Sequence, residues 1–283
     1  MRRGRRIQTA WAAAALIVSL ITSALGSQAP AVPAAELVRR TVQNEVRSSE
    51  DQTPHMFVSL KETGHGSQTK IYCETKDAMA GVAIANDGKP LTAAQRQAEE
   101  ARLDQLMKDP EELKRKRQRE KEDAERVARI VRAMPDAFLY EYDGTEHGSA
   151  VAGNEDDELV RLKFRPNPKY DPPTRTEQVL AGMQGTLLVD ANRYRIARID
   201  GILYKDVAFG WGILGHLDKG GHFLVEQGDV GDGSWDIRKI SLAFTGKILL
   251  FKHLDIKSTE TLKDFRPVPR NLTFAQGGVA EKA

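Results

Sequence analysis

The side chains best suited to chemistry are scattered along this chain. Six histidines (His55, His65, His147, His216, His222, His253) and one cysteine, Cys73, supply its imidazole and thiol groups. No two histidines stand four apart, the spacing that puts two metal ligands on one helix face. His216 and His222 flank a turn that also holds Asp218, the nearest approach to a ligand cluster, but no metal is expected there. A lone Cys73 cannot close an internal disulfide, and its strand-like surroundings read as those of a small buried hydrophobe. Gly210-Trp211-Gly212-Ile213-Leu214-Gly215 matches the dinucleotide pattern G-x-G-x-x-G, which holds pyrophosphate only where a strand feeds a helix. Asp218-Lys219-Gly220-Gly221 follows at once and leaves no room for one, so the glycines are read as a sharp bend. The stretch GDVGDG at 228–233 lacks the alternating acids and final glutamate of a calcium loop and reads as a hairpin connection. No catalytic residue, metal or cofactor is expected, and the chain is read as not an enzyme.

The elements that would carry a site are mostly strands. Residues 36–47 place Leu37, Val38, Val42 and Val46 on one helical stripe, suited to lying across a sheet. Two strands are expected at 55–62 and 68–75. The first has Met56, Val58 and Leu60 on one face; the second has Ile71 and Cys73 on one face and Tyr72 on the other. A third strand at 80–85 ends at Asp87-Gly88, a strong hairpin signal. Residues 91–134 then change character: Thr92 can cap a helix, Asp109-Pro110 breaks it, and a second helix should end near Met134-Pro135. Between Lys114 and Arg126 there is no large apolar side chain. Acid-first pairs such as Glu111/Arg115, Glu112/Lys116, Glu122/Arg126 and Glu125/Arg129 suggest a solvated helix. Beyond an acidic loop at 146–158, strands are expected at 159–164, 185–190, 193–199, 203–209, 222–227, 235–244 and 247–257, with a short helical stretch at 174–183. Trp235, Ile237 and Ala243 should share one face, with Ile240, Leu242 and Phe244 on the other. Consecutive strands on short turns pair antiparallel, and a long twisted meander curls. The expected fold is α+β and mainly β: a curved antiparallel sheet, or half-barrel, with an N-terminal helix and an inserted charged helical segment.

The start of the chain reads as an address. Arg2, Arg3, Arg5 and Arg6 precede an apolar run at 10–25 and a small-residue exit at Ala24 and Gly26, the three parts of a cleaved secretory signal. Signal peptide 1–26, a flexible leader 27–35, one domain 36–270 with the helical insertion 91–134, and a tail 271–283 make up the expected organisation. No cysteine stands where a lipid anchor would attach, so a periplasmic or secreted protein without a membrane span is expected. The chain has 42 basic and 40 acidic residues, and taking away those four arginines leaves it slightly acidic. Nucleic acid is therefore not an expected partner, and the run Lys114-Arg115-Lys116-Arg117 is read as a solvated helix face.

Certain stretches resemble a known family. GTLLVD at 185–190 and YRIARID at 194–200 look like the strand pair of the LolA-like superfamily, periplasmic carriers of lipoproteins and related hydrophobic molecules, and GKILL at 246–250 fits the same pattern. FRPNP at 164–168, FGWGILG at 209–215 and Asp264-Phe265 are similar to an uncharacterised bacterial exported branch. The resemblance is best over 159–265. It implies a non-enzymatic binding or carrier protein that holds a lipid, another hydrophobic ligand or a lipidated protein in the concave face of its sheet. Leu203, Phe209, Trp211, Phe223, Trp235 and Phe251 are the candidate lining. The alternative is an envelope module with a fully packed sheet interior, whose charged helices contact a partner protein. The charged helix departs from the apolar lid such a groove would call for.

Overall fold

The computed structural model describes residues 32–209, 215–231, 233–248 and 252–280. The signal expected at 1–26 and the expected leader up to residue 31 lie outside them. The first element of the described residues is helix α1 (Ala34–Glu50), which takes in the last two residues expected of the leader. Strands β1 (His55–Thr63), β2 (Gly66–Cys73), β3 (Ala80–Asn86) and the two-residue β4 (Lys89–Pro90) follow. Helices α2 (Ala93–Lys108) and α3 (Pro110–Ala137) form the charged insertion. Next come β5 (Phe138–His147), β6 (Glu158–Pro166), a short α4 (Arg175–Gln178) with a 3-10 turn behind it, β7 (Met183–Asp190) and β8 (Arg195–Leu203). The chain finishes with β9 (Val207–Phe209), β10 (Gly215–Leu217), β11 (His222–Asp229), β12 (Trp235–Ile248), β13 (Lys252–Pro267) and α5 (Phe274–Ala280).

The strands form one curved, unclosed antiparallel sheet, as expected. Its order is β4-β3-β2-β1-β13-β12-β11-β8-β7-β6-β5, with β10 on β12 and β9 on β10. The meander from β5 to β13 is continued by the first strand of the chain: β1 pairs with β13 through Ser59 opposite Leu262. Local signals explain the turns and caps. Asp87 and Gly88 both adopt positive φ (49° and 70°), the hairpin turn expected of Asp-Gly. Thr92 and Gln95 close a capping box at the start of α2, and Asp109 caps α3 with Pro110 in its first turn.

Several expectations are corrected. β5 was not foreseen, although Phe138, Tyr140 and Tyr142 alternate with Leu139, Glu141 and Asp143 and all three rings pack against the core. The strand expected at 203–209 is only β9, because β8 runs through Leu203 before the chain turns. A turn expected near Thr245-Gly246 is strand: Gly246 lies so close to β10 that an added Cβ would meet His216 O at 2.2 Å. In β12, Ile237 pairs with Gln227 and Lys239 with Glu226, so Arg238 is an extra residue. That bulge reverses the alternation and puts Ile237 and Ile240 on one groove rather than on opposite faces. In β1 the buried face is that of His55, Phe57 and Ser59, while Met56, Val58 and Leu60 on the other face are half-buried. α3 continues through Pro135 to Ala137. The ion pairs seen along its surface are Lys116–Glu120, Lys121–Glu125 and Asp123–Arg126 rather than the acid-first set. Within the tail expected at 271–283, residues 274–280 form helix α5, with Phe274 buried in one cluster with Cys73, Ala80 and Leu103.

The helices divide the work. α1 lies across the sheet as its stripe implied, burying Leu37, Val38 and Val42 against Leu162, Phe164, Leu187 and Ile196. α2 runs beside the β3 edge, where Glu99 accepts from the Ala83 amide at 2.9 Å and Arg102 donates to Gly81 O at 2.7 Å. These side chains occupy backbone groups that an exposed edge would offer to another chain. α3 then returns over the sheet and reaches α1 and β5.

Candidate functional site

Residues directly opposite in neighbouring strands share a face. Following the register from β2 to β6, Tyr72 opposes Phe57, Ser59 opposes Leu262, and Glu260 opposes Ile240. Ile240 opposes Val225, Val225 opposes Ile199, Ile199 opposes Leu187, and Leu187 opposes Leu162. One mainly apolar face therefore crosses the whole sheet. On the β5–β8 side α1 and the end of α3 cover it, and Leu162 and Leu187 are fully buried. On the β1–β13–β12 side it is left partly open beneath the charged middle of α3.

That open part is a groove of about 420 Å³. Phe57, Tyr72, Ile237, Ile240 and Leu262 form its apolar floor and walls; Lys116 and Glu120 of α3 overhang it; Glu74, Asp236 and Glu260 supply carboxyls. Its size falls within the roughly 300–1,000 Å³ of small-molecule sites. Phe57 anchors the floor, its ring 5.6 Å from that of Tyr72 and 5.2 Å from that of Phe265. The Tyr72 ring lies over Gly81, where a Cβ would come within 2.6 Å of it. The overhang is tied down: Glu120 accepts from the Met79 amide at 3.0 Å and from Lys116 Nζ at 2.6 Å. Glu260 accepts from Ser59 Oγ at 2.6 Å.

Glu74 and Asp236 differ from the other acids of the groove. Burial raises the Glu74 carboxyl above its ordinary range; the hydrogen bond from the His55 amide (2.7 Å) opposes the shift and the Asp236 charge adds to it. Burial likewise raises Asp236, against the hydrogen bond from the Ile237 amide (2.6 Å) and the pull of His55 and Arg195. Neither carboxyl forms an ion pair with a described lysine or arginine. The groove can hold an apolar body along its floor and a polar group at this acidic end.

Three of the residues proposed from sequence fall elsewhere. Leu203 is buried in the core beneath α1, and Phe223 packs against the same core. Trp235 is buried in a separate cluster with Leu159, Leu188 and Ala197; its indole donates to Ile196 O at 2.9 Å and Arg195 stacks 5.7 Å from its ring. Trp211 and Phe251 lie outside the described residues, and so does the Phe209 side chain. The glycine-rich bend at 210–214 is outside them too. His216 and His222 do not converge: His216 pairs with Asp218 at 3.1 Å and His222 with Asp200 at 2.8 Å. In the 228–233 hairpin, Asp229 Oδ1 accepts from the Gly231 amide at 2.7 Å, which uses the acid within the turn. Among the described residues no helix is long and apolar enough to cross a membrane.

Sequence reading missed Glu74, Asp236, Phe57 and Ile240. The usable signal was an acid placed within or just beyond a strand, Glu74 after Cys73 and Asp236 between Trp235 and Ile237.

No protein-family model matches this chain, and no curated protein does. A solved structure of a DUF1329 family protein from Desulfovibrio piger is similar, at 9% sequence identity and a TM-score of 0.26, over 86% of this chain and 98% of that one. Similarity at that level fixes neither family nor function.

Proposed function

We propose that this is an exported, non-enzymatic binding protein of the LolA-like kind, which holds a hydrophobic or amphipathic ligand in the groove between α3 and the β1–β13–β12 part of the sheet. The observation that carries the reading is the single apolar face, stoppered by α1 over one half and open over the other. Each buried methylene contributes roughly 0.8 kcal/mol, so a chain of about ten carbons brings about 8 kcal/mol against an association cost that starts near 4 kcal/mol. An alkyl or acyl chain of that length suits the apolar floor. The packed interior of an envelope module describes the α1-covered half alone.

The test is native mass spectrometry on protein prepared without detergent, combined with displacement of a fluorescent apolar probe. Bound hydrophobic ligand, lost in Ile240→Trp, which fills the groove while circular dichroism stays native, is the expected result. Ligand-free protein with no probe binding, or binding indifferent to Ile240→Trp, would refute it.

A further inference from the structure

The charges around the groove select among amphipathic ligands. Its lining carries four carboxyls (Glu74, Glu120, Asp236, Glu260) and one ammonium, Lys116. Lys116 is already committed to Glu120. Glu260 is held by Ser59, with Lys61 Nζ at 4.0 Å. What remains is the pair Glu74 and Asp236, half-buried at one end of an apolar floor; His55 pulls on both and Arg195 on Asp236, but neither carboxyl is in an ion pair with a described lysine or arginine. An anionic headgroup placed there would meet like charge in a poorly solvated site, which costs binding. A cationic one would find two acceptors for charge-assisted hydrogen bonds, with the faces of Phe57 and Tyr72 in the same lining.

We propose that the natural ligand is an amphiphile whose polar end is a protonated amine, seated between Glu74 and Asp236 with its alkyl part over Phe57, Ile240 and Leu262. Charge complementarity is the argument, and it rests on the groove being the binding site. Glu74 and Tyr72 lie two apart in sequence and so point to the same side of the chain, which places the acid beside the aromatic part of the floor. The Glu74 and Asp236 oxygens already accept one backbone amide each and keep lone pairs for an ammonium.

The experiment compares three ligands of one tail length, decylamine, decanol and decanoate, each titrated below its critical micelle concentration against the full chain by calorimetry. Decylamine should bind roughly ten-fold or more tighter than decanol, with decanoate weakest. The double variant Glu74→Gln/Asp236→Asn should remove the amine's advantage over decanol, with circular dichroism and the urea midpoint of the variant showing that it is folded. Equal affinity for all three, or an amine advantage that survives the double variant, overturns the proposal and leaves the groove reading standing. Binding of none of the three overturns both. Competition by a tail-less lysine peptide, or binding that requires dimer formation, assigns the groove to another occupant and overturns it as well.

Discussion

The pairing of α1 with β8 permits a worked test. Glu45 of α1 reaches Arg195 Nε at 3.1 Å and accepts from the Ile196 amide at 2.7 Å, with side-chain exposures of 12% and 13% for the two charged partners. Burial nevertheless raises the Glu45 carboxyl above its ordinary range, outweighing the attraction of Arg195 and the Ile196 hydrogen bond. Desolvation thus exceeds the pair's Coulombic gain, the behaviour expected of buried ion pairs. Glu45→Ala strands Arg195 and the Ile196 amide, and should cost about 3–5 kcal/mol. In a domain of this size that corresponds to roughly 6–20 °C in Tm. The double variant Glu45→Met/Arg195→Met removes both charges together and should recover most of the loss. It will not recover all of it, because Arg195 also stacks on Trp235 and bonds its carbonyl. Urea unfolding of the parent, Glu45→Met, Arg195→Met and the double variant closes a double-mutant cycle, with Glu45→Ala measured beside it. A double variant as unstable as the sum of the singles would refute the reasoning. So would a Glu45→Ala cost below about 1 kcal/mol, the value of an exposed pair.

Other perturbations follow from the same contacts. Glu74 carries a raised carboxyl, so the folded state holds its proton more tightly than the unfolded chain; the stabilisation is full below the ordinary carboxylate range and lost as pH rises through the raised value. Glu74→Gln should therefore stabilise at neutral pH and lose that advantage on acidification, followed by urea midpoints across pH; a gain that grows toward acid pH would contradict the shift. Phe274→Ala should cost about 3–5 kcal/mol, because α5 is part of the core, and chemical denaturation would show it. Glu99→Ala/Arg102→Ala should free the β3 edge, and light scattering near the unfolding onset should show earlier aggregation than in the parent. Thr92→Ala should remove about 1 kcal/mol of α2 stability.

Local chemistry was legible in the residues. Thr92, Asp109-Pro110 and Asp87-Gly88 marked helix starts and a hairpin because caps and positive-φ turns depend on neighbours a few positions away. Period-two patterns exposed most strands, and the stripe of Leu37, Val38 and Val42 announced a helix lying on a sheet. The same period-two signal was present in β5, where Phe138, Tyr140 and Tyr142 alternate with Leu139, Glu141 and Asp143 directly behind the strong helical stretch of α3. The face assignments in β12 failed at Arg238, since a bulge is set by pairing with β11 and leaves no mark in the spacing of Ile237 and Ile240.

The site itself belongs to tertiary structure. Glu74 and Asp236 stand far apart in sequence, and only the pairing of the chain's first strand with its last brings β2, β1, β13 and β12 into one floor. Aromatic residues such as Trp235 looked like groove lining because large apolar side chains serve cores and grooves alike; which of the two is decided by what packs above them. The residues alone specified a curved sheet with an apolar inner row and a helix to lie on it. How far α1 reaches along that row, and that a charged stretch of α3 lies over the remainder, follow from loop lengths and long-range pairing, to which residue patterning is blind.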